Sequence, residues 1–306
     1  MWGEATLRTY DRVLEEVRLD KSHGALWLSC RVVDAFIALV EELWGLSELT
    51  GELRALVERA RSCRPSMASI ANVAEASSRL VEEGLALKLS SEGIVESLRR
   101  FKSAIEGVKA EVVRRAVEDL SWPKVFMTHS LSSTVLEFFK LLGGGRTVVV
   151  TESRPLMEGV EAARALGLMG FDVKLVVDAA AYQAAKRFGV EVFVFGADSV
   201  LPDGYVVNKA GTAQIAIALK HLGVENACLC ESVKVNDKLT PESVELEVKE
   251  PSEVLKEDLR GVEVFNLYFD LTPPSVVDKI VMEDGVHRAP YSLKPFAGWR
   301  LRSFLE

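Results

Sequence analysis

Two hydrophobic periods divide the chain. From Thr6 to about Leu120, apolar positions recur at steps of three and four. Trp27, Cys30, Val33, Phe36, Ile37, Val40 and Leu43 form one stripe, and Leu98, Phe101, Ile105, Val108 and Val112 another. That is the spacing of amphipathic helices. Leu53, Leu56, Val57 and Ala60 continue it, and Pro65 interrupts it within SCRPSMASIANV. This part reads as all-helical, with about five or six helices. After Trp122-Pro123 the texture changes. Short apolar runs at 125–127, 147–150, 173–177, 192–195, 227–230 and 262–265 alternate with helix-like segments near 132–141, 155–168, 179–188, 209–222 and 252–259. This β-α alternation predicts a mainly parallel sheet covered on both faces. The expected fold class is therefore α/β, with an N-terminal all-helical domain (1–120) followed by a mainly parallel sheet domain (121–306).

Composition narrows the partners. The formal net charge of −8 argues against a whole-protein grip on nucleic acid or on an anionic membrane. MWGEATLRTYDRVLEEV has no basic segment followed by an apolar one, so no secretory signal is expected. No apolar run approaches the roughly 18 residues of a membrane helix. A cytoplasmic location is expected. The cysteines are Cys30, Cys63, Cys228 and Cys230. Cys-Leu-Cys suits neither a zinc knuckle nor a redox pair, and its two thiols are expected on opposite strand faces. No metal and no cofactor are expected. A Cys30–Cys63 disulfide is open to a hyperthermophile. Gln occurs only at 183 and 214, a shortage of thermolabile amides that fits a thermophilic source.

Candidate chemistry gathers at the strand ends, where open parallel sheets bind ligands. Thr128, His129 and Ser130 follow the first apolar run, and Thr151, Glu152, Ser153 and Arg154 the second. Asp178 follows the third, Gly196, Ala197 and Asp198 the fourth, Glu231 and Ser232 the fifth, Asn266 and Tyr268 the sixth. No GxGxxG, GxxxxGK[ST] or GxSxG is present. Gly143-Gly144-Gly145 reads as a helix stop. His129 and Ser130 are neighbours whose side chains diverge in strand geometry, so His129 is poorly placed as a base for Ser130. Ser130, Ser132 and Ser133 read as helix-capping or anion-binding hydroxyls. Arg154 precedes Pro155, which suits the first turn of a helix, and so reads either as an anion clamp or as a solvated arginine. Asp198, behind an apolar run and beside Gly196 and Ala197, predicts either a partly buried carboxyl with a raised pKa or a loop-ordering acceptor. Asn208 and Lys209 lead into the next helix, where Lys209 could meet a phosphate.

MTHSLSSTVLEFF, TESRPLMEGVEAARAL, VDAAA, FGADSVLPDGYVVNKAGTAQIAIALK, CESVKV and NLYFDLTPPSVVDKIV occur in that order. Together they resemble the regulatory subunits (alpha, beta, delta) of translation initiation factor 2B and their archaeal homologues. That superfamily also holds isomerases of methylthioribose-1-phosphate and ribose-1,5-bisphosphate. The resemblance covers about residues 60–290. It implies a helical domain followed by a Rossmann-like domain. It also implies dimerisation through the C-terminal domain, with hexamers among the larger assemblies, and contact with initiation factor 2. The isomerases use a cysteine after the first strand and an aspartate in a GAD motif. Here Asp198 matches the aspartate, and Ser130 stands at the cysteine position. Arg64, Arg154, and Asn208 with Lys209 match the phosphate-clamping positions; His129 and Ser132 join the ligand-binding set. A thiol of pKa about 8.5 trades protons at neutral pH, whereas a serine needs an activating base. The resemblance thus implies a regulatory protein that binds a sugar phosphate or a nucleotide without catalysis. The alternative is an aldose–ketose isomerase acting on ribose-1,5-bisphosphate with Asp198 as base.

Overall fold

The computed structural model describes residues 8–20 and 23–306; the helical reading at Thr6 and Leu7 lies outside the described residues. The chain forms two compact units, one of residues up to Val108 with Phe296–Glu306, the other of Lys109–Pro295.

In the first unit, α1 (Thr9–Leu19), α2 (Ala25–Leu43), α3 (Leu49–Cys63), α4 (Ala68–Ala86) and the start of α5 (Ser91–Asp119) carry the three-four stripes. Val33, Phe36, Val40, Leu53, Leu56, Leu98 and Phe101 are fully buried or nearly so. α3 stops two residues before Pro65, which cannot donate to a helix. Trp27 departs from its stripe: it is 40% exposed and stacks on His23 at 3.8 Å. Phe296, Trp299 and Phe304 close around Phe101 at 6.0, 6.1 and 5.5 Å. None of the four cysteines forms a disulfide, so the Cys30–Cys63 bridge is not made.

The second unit holds β1 (Val125–Thr128), α6 (Ser133–Leu142), β2 (Thr147–Thr151), α7 (Glu158–Leu168), β3 (Asp172–Val176), α8 (Ala181–Phe188), β4 (Val192–Phe195), β5 (Ser199–Val200), β6 (Val206–Lys209), α9 (Thr212–His221), β7 (Glu225–Leu229), β8 (Val248–Lys249), β9 (Asn266–Leu267), β10 (Phe269–Thr272), β11 (Lys279–Met282) and β12 (Gly285–His287). The main sheet runs β12-β11-β7-β4-β1-β2-β3. All its pairings are parallel except β11 with β12. A small antiparallel sheet, β10-β6-β5, stands apart from it. Strand alternation sorts the core onto two faces. Phe126, Val148, Val150, Val192 and Val194 pack with Val112 and Ala116 of α5, Phe138 and Phe139 of α6, and Leu166 of α7. Met127, Val149, Phe193 and Phe195 pack with Ala184 and Ala185 of α8 and Ile215 and Leu219 of α9.

Four expectations need correction. Residues 262–265 are not a strand: Val262 and Phe265 are 55% and 64% exposed, and the last parallel strand is β11. Residues 252–259 form no α-helix, only a 3₁₀ turn at Pro251–Glu253; Val254, Leu255 and Leu259 are exposed, so no apolar face is buried to stabilise one. Cys228 and Cys230 share one core cluster, because residues two apart on a strand face the same way. Pro155 lies outside α7, which starts only after Met157, a residue at φ 62°.

Candidate functional site

In the order β3-β2-β1-β4-β7-β11 the chain winds outward from β1 on one side, then returns to its other side. The reversal falls between β1 and β4, where such sheets open a ligand crevice beyond the strands' carboxyl ends. Ser130 follows β1 there, and Asp198 follows β4.

His129 is buried and fully engaged. Its Nε2 lies 3.0 Å from the Ala210 carbonyl, which can only accept, so Nε2 carries the proton. Nδ1 then accepts the Thr151 hydroxyl at 2.6 Å. Burial lowers the ring's pKa and holds it neutral. The Ser153 hydroxyl accepts from the Ser130 N–H at 2.7 Å and donates to the Thr151 carbonyl at 3.2 Å. Asp178 accepts from the Ser153 and Arg154 N–H groups at 2.7 and 2.8 Å. His129 thus staples the ends of β1 and β2 to the 210 loop, and no ring nitrogen is left to serve as a base. Gly211 belongs to the staple: at φ 108°, a Cβ there would lie 3.0 Å from His129 Nε2.

Ser130 sits at φ 66°, and Ser153 and Met157 share the left-handed region at 63° and 62°. For non-glycine residues that costs about 1 kcal/mol each or more. The strain clusters at the crevice rim. Among the described residues, no side chain hydrogen-bonds the Ser130 hydroxyl. Ser132 caps α6, accepting from Val135 N–H at 3.4 Å. A Cβ on Gly196 would fall 2.5 Å from the Ser132 hydroxyl, so only glycine lets β4 end this close to the cap.

The Asp198 carboxylate is partly buried and receives no hydrogen bond among the described residues; the loop-ordering alternative finds no bond to support it. Burial, with Glu247 nearby, pushes its pKa up to about 6 against the pull of Lys234 and Lys209. A carboxyl whose pKa rises on folding binds more protons folded than unfolded between about pH 4 and 6. Its contribution to stability therefore falls as pH rises through that window. We expect the Asp198 carboxyl carbon to titrate near pH 6 by NMR, and Asp198→Asn to flatten the stability decline between pH 4 and 6. A midpoint near 4 would contradict this.

Beside Asp198 lies a buried ion pair. Glu231 is fully buried, its Oε1 accepting from Thr134 at 2.6 Å and its Oε2 2.8 Å from Lys234 Nζ. Burial alone would raise the Glu231 pKa, but the Lys234 ammonium outweighs it and holds the carboxyl below its ordinary range.

Asn208 and Lys209 end β6. Asn208 Nδ2 donates to Thr212 Oγ1 at 3.0 Å. Lys209 Nζ lies 2.8 Å from Glu158 Oε1 and 3.6 Å over the Tyr268 ring. Asp270 takes the Gly211 and Ala213 N–H groups at 2.7 and 3.0 Å; burial still pushes its pKa up to about 6. Arg154 is exposed, its guanidinium on the Pro155 and Val254 carbonyls at 3.1 and 2.9 Å. Arg64 lies in the helical unit and binds the Val17 carbonyl at 3.4 Å and the Asp20 carbonyl. Sequence reasoning did not single out Glu158 or Asp270. Glu158 reads as an ordinary first-turn acid, and Asp270 as the polar half of a strand alternation.

A doubly wound parallel sheet with ionisable side chains at its switch point defines a Rossmann-like α/β class of protein. Within that class, the chain belongs to the initiation factor 2 subunit family, whose sequence profile matches residues 21–289. It is similar to the eIF-2B subunit 2-like protein of Pyrococcus furiosus, 33% identical over 91% of this chain and 96% of the relative. It is also similar to the ribose 1,5-bisphosphate isomerase of the same organism, at 30% over 98% of each. Among solved structures, the Pyrococcus horikoshii translation initiation factor eIF-2B superposes with a TM-score of 0.77 at 29% identity, over 93% of this chain and 98% of that one. The Pyrococcus horikoshii 5-methylthioribose 1-phosphate isomerase shares the fold, at a TM-score of 0.74 and 20% identity over 92% and 85%.

Proposed function

We propose that the chain is a regulatory, eIF-2B-like member of its family that binds a phosphosugar or nucleotide at the β1–β4 crevice without turning it over. One observation carries this reading: Ser130 stands at the position that the resemblance gives to the isomerases' cysteine, and the adjacent His129 is not available to it as a base, because both its nitrogens are bonded within the protein. A serine without a base is a poor proton donor and acceptor at neutral pH. Ser132, Arg154, Asn208 and Lys209 are the proposed binding groups. Self-association through the C-terminal domain and contact with initiation factor 2 follow from the family resemblance.

The test is calorimetry with ribose 1,5-bisphosphate and with AMP. We expect saturable binding of one of them, weakened by about tenfold or more in Arg154→Ala as a charge-assisted bond is lost. Absence of binding of either would overturn the reading. One observation favours a second reading, aldose–ketose isomerisation: the Asp198 carboxyl at the crevice takes no hydrogen bond among the described residues, and burial pushes its pKa up to about 6. In that reading Asp198→Asn abolishes turnover.

A further inference from the structure

Lys209, offered above as an anion ligand, is already occupied. Its ammonium lies 2.8 Å from Glu158 Oε1, with 3% of the side chain exposed. The Tyr268 hydroxyl donates to the same Oε1 at 2.9 Å, and the Tyr268 ring lies under the ammonium at 3.6 Å. Glu158 Oε2 is buried and, among the described residues, has no hydrogen-bond partner. The pair carries no net charge, and a phosphate brought to Lys209 meets a carboxylate in the same place. With Lys209 so enclosed, a ligand anion gains it only by displacing Glu158.

We infer that Glu158 is a built-in competitor for the ligand's anion, and that it sets how tightly the site takes a phosphate group. The inference rests on the phosphosugar or nucleotide reading for what the ligand is, but the Glu158–Lys209 contact can be tested without it. Glu158 arises from the start of α7 and Lys209 from the end of β6, so the contact also ties α7 to the small antiparallel sheet. Anion binding that breaks it would loosen that tie.

The probe is inorganic phosphate, titrated by calorimetry into wild type, Glu158→Gln and the double variant Glu158→Gln/Lys209→Met. Glutamine keeps the volume and an acceptor for Tyr268 while removing the charge. Glu158→Gln is expected to bind phosphate about tenfold or more tighter than wild type, and the double variant to lose that gain. Glu158→Ala repeats the measurement without an amide oxygen near Lys209. If neither single variant binds phosphate more tightly, or if the gain survives loss of Lys209, the inference is overturned. Failure of wild type to bind ribose 1,5-bisphosphate or AMP strikes instead at the phosphosugar reading, and the phosphate comparison is read separately.

Discussion

Gly159→Ala is expected to destabilise the protein by about 3 kcal/mol or more, at the upper end of overpacking costs. A Cβ at this second residue of α7 would lie 1.8 Å from the Thr151 carbonyl oxygen and 2.9 Å from the Thr151 and Glu152 carbonyl carbons. These are backbone atoms at the end of β2, where the Thr151 carbonyl also accepts from Ser153. They cannot swing aside as a side chain would. α7 would have to lift away, withdrawing Ala162 and Leu166 from the core they fill. Gly167→Ala in the same helix is the control. Nothing lies within 4 Å of its Cβ, so it should be neutral or stabilising by about 0.5–1 kcal/mol. Urea midpoints of the two variants check both statements. Equal midpoints would mean that the approach of α7 to β2 is wrong.

Lys234→Met is expected to cost about 3–5 kcal/mol, because it leaves Glu231 buried without its counter-ion. Methionine keeps most of the volume, so the loss is electrostatic rather than a cavity. The pH dependence separates the two causes. In wild type the Glu231 carboxyl is held low. The pair's stabilisation is therefore fully present above about pH 4.5 and is lost as pH falls through the folded pKa. In the variant the Lys234 charge no longer opposes burial, which is the largest influence on Glu231 and favours the protonated acid. The gap between variant and wild type should therefore narrow as pH falls from 7 toward 4. A gap constant across that range would point to lost packing instead.

The strand-end logic made much of the site legible. Periodicity marked β1, β2, β3, β4 and β7, and reading off the residues after each gave Ser130, Ser153, Asp178, Asp198 and Glu231. What the sequence hid was long-range. Thr151, Ser153 and Ala210 reach His129 from other elements, so its two nitrogens look free in the sequence and are engaged in the fold. Glu158 meets Lys209 across 51 residues of chain, and local pattern carries no trace of that pairing. The exposed Val262–Phe265 stretch shows the opposite error, where a strand-like run has no sheet neighbour to bury it. The return of residues 296–306 to the helical unit rests on Phe296, Trp299 and Phe304 around Phe101, aromatics whose irregular spacing announces no element.

The proposed site binds a sugar phosphate or nucleotide and does not react. Its most direct test follows purified wild-type protein with ribose 1,5-bisphosphate, with and without AMP, by NMR for the ketose product, alongside Ser130→Cys. Wild type is expected to leave the sugar phosphate unchanged over hours. Ketose formed by wild type at an enzymatic rate, and lost in Asp198→Asn, would contradict it and make the protein an isomerase that works without the thiol.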